Sequence, residues 1–355
     1  MKIGIFTGRL LDPLHPRIVS YIEFFDNHGL NYEIVPPVNN QILSRINWFS
    51  LYFFDLYSTL RNRKKIKLYD IILIQDLKYL PLARLAKKKK KTVIYETLDN
   101  NVVLRGYQLL KKLPFLTVLK NSIISHYSLK EKKIAFNHCD KIIVNSKALV
   151  KYFEGKAQLI YYCSSFETIK TKNNAKLKPA LLYLGEFSLE KGADDVIALQ
   201  KKLEIELYIF GTIRNHSIKE SILGNNKIYN TTRLNHKELI LRLEDLLRQY
   251  YLIGTSFIKP VHLSYATQEA NKEIDYLAMG IPIIGNHREP TEEKILAGCG
   301  IFLENDHQLK QLFSDEDFRK KLSLNCLNYY VGNYSITLFN TGIDKALSQF
   351  TDKNE

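Results

Sequence analysis

Between Asp70 and Gln75 stand four aliphatic residues in a row, Ile71, Ile72, Leu73 and Ile74. A strand with one wet face alternates apolar and polar side chains. An unbroken apolar run between polar ends suits a strand covered on both faces, the condition of a parallel sheet between two helix layers. The pattern recurs. Residues 2–7, 31–36, 92–96 and 141–145 read as further strands. Residues 17–28 and 80–86 read as helices, the first with Ile18, Tyr21, Ile22 and Phe25 at helical spacing and a stop at Gly29. After residue 180 the alternation starts afresh, with strands at 181–184, 206–210, 228–230, 252–258 and 281–285 and helices at 192–201 and 236–247. The fold class expected is α/β, two Rossmann-like domains with parallel sheets. Such sheets take ligands beyond the carboxyl ends of their strands, so two in tandem predict a site in an interdomain cleft.

A length of 355 residues accommodates two domains of ordinary size. The Lys- and Asn-rich stretch 168–179 reads as the linker between an N-terminal domain, 1–167, and a C-terminal domain, 180–330. A final helix, 331–355, is expected to pack back on the N-terminal domain. Met1 and Lys2 lead into an apolar stretch too short for a signal peptide, and no apolar run is long enough to span a bilayer. The four cysteines lack metal-site spacing and read as reduced thiols of a cytoplasmic protein.

The net charge of +14 is unevenly spread. Residues 1–170 hold 28 Lys and Arg against 13 Asp and Glu, and the rest hold 23 against 24. The basic half suits an anionic surface, such as the inner face of the cell membrane. Residues 41–67 strengthen that reading: Trp48, Phe49, Leu51, Tyr52, Phe53, Phe54, Leu56 and Tyr57 precede Arg61, Arg63, Lys64 and Lys65, as in an interfacial helix. The competing reading packs this helix on the first sheet and leaves the basic cluster solvated. No nucleic-acid-binding signature accompanies the charge, so nucleic acid is not an expected partner.

The chemistry is expected near a helix at 269–279, stopped by Gly280-Ile281-Pro282. Asn271 and Asp275 share a face, and Lys272 lies in the first turn. A helix start offers free N–H groups and partial positive charge to a phosphate, while a carboxylate one turn on can accept from a ribose diol. A plain polar stripe on an amphipathic helix would look the same. In the N-terminal half, the loop after the first strand carries Gly8, which lets backbone approach a ligand closely, with Arg9, Asp12 and His15 as candidate phosphate or acceptor contacts and His15 as a candidate catalytic group.

The segment Asn271-Lys272-x-x-Asp275-Tyr276-Leu277-Ala278-x-Gly280-x-Pro282 resembles the Asn-Lys-x-x-Glu-Tyr-Leu-Ala-x-Gly-x-Pro cassette of the retaining glycosyltransferases of family 4, which have the GT-B fold. The resemblance extends to Leu182-Tyr183-Leu184-Gly185 with Lys191-Gly192, to Tyr208-Ile209-Phe210-Gly211, to residues 69–81 and 93–96, and to 139–146. It implies a nucleotide diphosphate sugar donor, of UDP or GDP type, bound by Gly185, Lys191, Gly211, Asn271, Lys272 and Asp275. It further implies retention, no metal, no resident cofactor, and a glycan or lipid-linked acceptor in surface polysaccharide synthesis, held by Gly8, Arg9 and Asp12. Three positions depart from the family. Glu186 replaces the diphosphate arginine, Thr267 stands where a partner glutamate is usual, and Leu98 replaces a histidine, leaving Glu96 and Asp99 as the nearby polar candidates for catalysis. Asp99-Asn100-Asn101 is equally a turn sequence. A sugar-nucleotide epimerase and a non-catalytic partner subunit of the same fold are the competing functions.

Overall fold

The computed structural model describes residues 1–7, 16–36, 53–112, 118–232 and 234–351. The chain divides into two compact units. The first comprises Met1–Tyr161, His262–Ser264 and Phe339–Glu355, and the second Tyr162–Val261 and Tyr265–Leu338.

The first unit is built on six parallel strands: β1 (Lys2–Phe6), β2 (Asn31–Val35), β3 (Ile71–Ile74), β4 (Thr92–Thr97), β5 (Lys141–Val144) and β6 (Gln158–Leu159), in spatial order β2-β1-β3-β4-β5-β6. The unbroken run Ile71–Ile74 is β3, and all four of its residues are buried, as a strand with two covered faces requires. On one side Ile72, Ile74, Val93, Tyr95, Ile142 and Val144 enter a core with Leu82, Ala83 and Ile134. On the other, Ile3, Leu73 and Ile143 face Tyr21, Phe25, Ile343 and Leu347.

The segment read as an interfacial helix resolves differently where it is described. Residues 41–52, with Trp48 and Phe49, lie outside the described residues. Phe53 and Phe54 are buried, and Phe53 stacks on Tyr127 at 4.0 Å between ring centroids. The helix that follows, Leu56–Asn62, is capped by Asp55 and seven residues long. Phe53 and Phe54 thus belong to the core, which is the competing reading for these two residues. Among the described residues no helix is long and apolar enough to cross a membrane.

The second unit repeats the plan with β7 (Lys178–Leu184), β8 (Leu207–Phe210), β9 (Ile228–Thr231), β10 (Tyr250–Ser256), β11 (Ile283–Gly285) and β12 (Gly300–Phe302), all parallel, in spatial order β12-β11-β10-β7-β8-β9. Counted within the unit, this is the 3-2-1-4-5-6 order of dinucleotide-binding sheets, with the direction of winding reversing between β7 and β10. The stretch 168–179 is tied to this unit. The Asn173 side chain donates to the Leu252 carbonyl at 2.7 Å and accepts from its N–H at 2.8 Å, and Arg319 Nε donates to the Ala175 carbonyl at 2.8 Å.

Candidate functional site

Pairing of β7 with β10 runs from Lys178↔Tyr250 to Leu182↔Gly254 and then stops. Beyond it, at the carboxyl ends where the winding reverses, the helix Asn271–Ala278 docks. Tyr276 fixes it there: its hydroxyl donates to the Leu182 carbonyl at 3.2 Å and accepts from the Leu184 N–H at 3.0 Å. Its ring occupies the space over Gly254 that any Cβ would fill. The helix is shorter than the sequence suggests. Glu269 and Ala270 are outside it, because the Glu269 carboxylate is drawn to Lys294 and Ala270 takes an extended conformation at the N-cap. Lys272 therefore sits at the second helical position, at a helix start with no side-chain cap.

Lys272 is only 9% exposed, yet its Nζ has no hydrogen-bond partner among the described residues. It lies over the Tyr183 ring, 4.0 Å from the centroid. Burial, and secondarily the charge of Lys191, push this ammonium well below the ordinary lysine value. The neighbouring carboxylate is committed elsewhere. Glu273 accepts from Ser256 at 2.6 Å and Thr291 at 2.7 Å, pairs with Arg288 at 2.6 Å, and lies 3.2 Å from Lys294 Nζ. Burial alone would raise its titration. Arg288 and Lys294 reverse that and hold it below the usual carboxylate range.

The remaining donor-site candidates flank this helix. Gly185 closes β7 with φ of 102°, a conformation glycine adopts without strain. Gly211 closes β8, and a Cβ there would overlap the Gly185 carbonyl. Lys191 ends a short 3-10 turn and lies over the Tyr265 ring at 4.7 Å. Asn271 opens the helix, half-buried. The contrary charge Glu186 meets Arg214, whose Nε is 3.5 Å from its Oε1. A guanidinium thus reaches the loop from a different strand end, which the sequence reading missed.

Asp275 is buried, and among the described residues both of its hydrogen bonds fall on Oδ1, from Ser164 Oγ at 2.6 Å and Tyr162 OH at 3.4 Å. Burial raises its carboxyl to about 7. Neither partner was visible from the cassette, since both precede it by more than a hundred residues.

Of the catalytic candidates in the first unit, Glu96 and Asp99 are among the described residues. Gly8, Arg9, Asp12 and His15 lie outside the described residues. Glu96 is 1% exposed and wholly engaged. Its Oε1 receives Arg17 Nε at 2.8 Å and Tyr21 OH at 2.9 Å, and its Oε2 receives Gln75 Nε2 at 2.7 Å. Arg17 also donates to the Tyr161 and Ile160 carbonyls and lies over the Phe339 ring. These contacts have the form of a structural clamp. Asp99 forms the turn that its sequence also allowed: its carbonyl accepts from Thr97 Oγ1 and the Asn101 N–H, while Asn100 Oδ1 caps the next helix at Val103. Among the described residues no group of three or more His, Cys, Asp or Glu could hold a metal ion.

Two parallel six-stranded sheets, each in a Rossmann-like unit, constitute the fold of the GT-B glycosyltransferases. Solved structures agree. HepE from Anabaena, in complex with UDP and glucose, matches with a TM-score of 0.67 and 12% identity over 99% of this chain and 100% of that one. An α,α-trehalose-phosphate synthase (UDP-forming) from Burkholderia vietnamiensis matches with a TM-score of 0.65 and 9% identity over 98% and 100%. AviGT4, a glycosyltransferase involved in avilamycin A biosynthesis, matches with a TM-score of 0.55 and 11% identity over 97% and 96%. The likeness is one of fold. By sequence the chain matches no protein-family description and no curated relative.

Proposed function

We propose that the chain is a glycosyltransferase that binds a nucleoside diphosphate sugar at the switch point of its second unit. Lys272 carries this reading: a buried ammonium without a hydrogen-bond partner among the described residues, at an uncapped helix start, is a place built for an anion. A diphosphate provides that anion. When the bond from sugar to β-phosphate breaks, negative charge grows on the leaving diphosphate. Lys272, Lys191 and the helix N–H groups stabilise it without a metal. Asp275 offers Oδ2 to the ribose, its Oδ1 being taken by Ser164 and Tyr162. Gly185, with open space where a Cβ would stand, lets the backbone approach the ligand, and Gly211 lets the end of β8 pack on the Gly185 carbonyl.

The structural neighbours support a UDP-type donor, since HepE was solved with UDP and glucose. Membership of family 4, retention, and a glycan or lipid-linked acceptor of surface polysaccharide synthesis rest on the resemblance of the cassette. So do the acceptor-side assignments of Gly8, Arg9, Asp12, His15 and Asp99. In this reading residues 1–167 serve the acceptor and 180–330 the donor, and Glu96 supports rather than reacts. The basic first half favours work at an anionic membrane face. A second reading, a non-catalytic relative, is favoured by Glu186, a carboxylate in a phosphate-facing loop.

The test is calorimetry of the full chain with UDP and GDP, followed by hydrolysis or transfer assays with UDP- and GDP-sugars. Binding that is lost in Lys272→Ala, together with turnover, supports the proposal. Binding of neither nucleotide overturns the donor site and favours the second reading, and binding without turnover overturns the activity alone.

A further inference from the structure

The ionic network beneath the helix start is larger than folding alone accounts for. Four charged side chains, Glu269, Glu273, Arg288 and Lys294, are buried together. Lys294 Nζ pairs with Glu269 Oε2 at 2.8 Å and also donates to the Pro290 carbonyl at 2.9 Å. Arg288 pairs with Glu273 and donates its other terminal nitrogen to the Gln268 carbonyl. Both cations come from the segment after β11, and both act on residues 268–273, the approach to the helix. Such a network costs desolvation energy that a hydrophobic core would avoid, so a purely stabilising purpose is a weak explanation.

The distribution of charge suggests another purpose. Glu273 is the residue next to Lys272, and its field acts on the Lys272 ammonium. In a low-dielectric interior an uncompensated carboxylate there would cancel the attraction of Lys272 for an anion. We propose that Arg288 and Lys294 are positioning residues that neutralise Glu273, so that Lys272 remains an uncompensated cation reserved for the donor diphosphate. This inference rests on the diphosphate reading above. It adds that the affinity of the site is set by two cations that do not touch the ligand.

Substitution can separate charge from packing. Arg288→Met leaves Glu273 undercompensated, whereas Arg288→Met combined with Glu273→Gln removes the carboxylate as well. UDP titrated into the full-length chain should bind Arg288→Met about tenfold or more weakly than wild type. The double variant should recover to within about threefold of wild type, and Glu273→Gln alone should bind as tightly as wild type or more so. Arg288→Lys, which keeps the charge, should stay close to wild type. If Arg288→Met fails to fold, Thr291→Val weakens the hold on Glu273 more gently, and its deficit in affinity should vanish when Glu273→Gln is added. Unchanged UDP affinity in Arg288→Met or Thr291→Val, or a double variant as weak as the single, would overturn the inference while leaving the donor site standing. A wild-type chain that binds neither UDP nor GDP overturns the donor site itself.

Discussion

Ser164 donates its hydroxyl to Asp275 Oδ1 across 2.6 Å, inside the second unit and out of reach of bulk water. A carboxyl so placed is harder to ionise than a surface one, and its environment raises it to about 7 against an ordinary value of 3.8. Between those two values the folded chain holds a proton that the unfolded chain has released. The contribution of this group to stability is therefore greatest below the ordinary carboxyl value and is lost as pH rises through about 7.

Asp275→Asn removes that dependence. Its stability relative to wild type should rise between pH 4 and pH 8, by at most about 4 kcal/mol given ~1.4 kcal/mol per pKa unit. Thermal unfolding of both proteins across this range checks it. A difference that is flat with pH would mean that Asp275 is already ionised throughout.

Lys272→Met exchanges a buried ammonium that lacks a hydrogen-bond partner among the described residues for an apolar side chain of similar length. The variant should be more stable than wild type by roughly 1–2 kcal/mol, the relief of desolvation outweighing the cation–π attraction to Tyr183 that is given up. The same variant should not bind UDP. Melting temperature and calorimetry together test the pair of outcomes, and a variant both less stable and still binding would contradict the anion-site reading.

Ligand binding should also move protons. The Lys272 ammonium is depressed by burial and by Lys191, so part of the unliganded population holds a neutral amine as pH rises. A bound diphosphate favours the charged form. UDP binding should take up protons, and affinity should fall as pH increases through the depressed value. Calorimetry in buffers of different ionisation enthalpy, repeated over a series of pH values, measures the uptake directly.

In the first unit, Arg17→Met strands the buried Glu96 carboxylate and should cost about 3–5 kcal/mol. Replacing both residues with apolar ones should recover most of that stability. Denaturant unfolding of the two singles and the double gives the coupling energy. Near-additive effects would deny the clamp.

How far the sequence anticipates this molecule varies from place to place. Ile71–Ile74 announces a two-sided buried strand because the run is short, rich in β-branched residues and bounded by polar ends, and β3 occupies it. The helix at Asn271 begins two residues later than its periodicity suggests, because Lys294, 25 positions away, captures Glu269. Glu96 looks like a cleft carboxylate until Arg17, 79 positions earlier, is seen to hold it. Local pattern records which face of an element is apolar. It carries no trace of which distant cation will neutralise a given carboxylate, so strands were legible and the roles of charged residues were not. Lys272 was legible as a position, but its lack of an acidic hydrogen-bond partner among the described residues emerged only in three dimensions.

The Asn173 amide has a mechanical consequence. By bonding both backbone groups of Leu252, it serves as a one-residue stand-in for the strand that β11 is too short to supply there. A stretch with the composition of a tether, carrying Lys170, Lys172, Lys176 and Lys178, is thereby riveted along its length. Lys178 is shielded by Pro179, so trypsin finds three cleavage points in it but little slack to draw any of them into its active site.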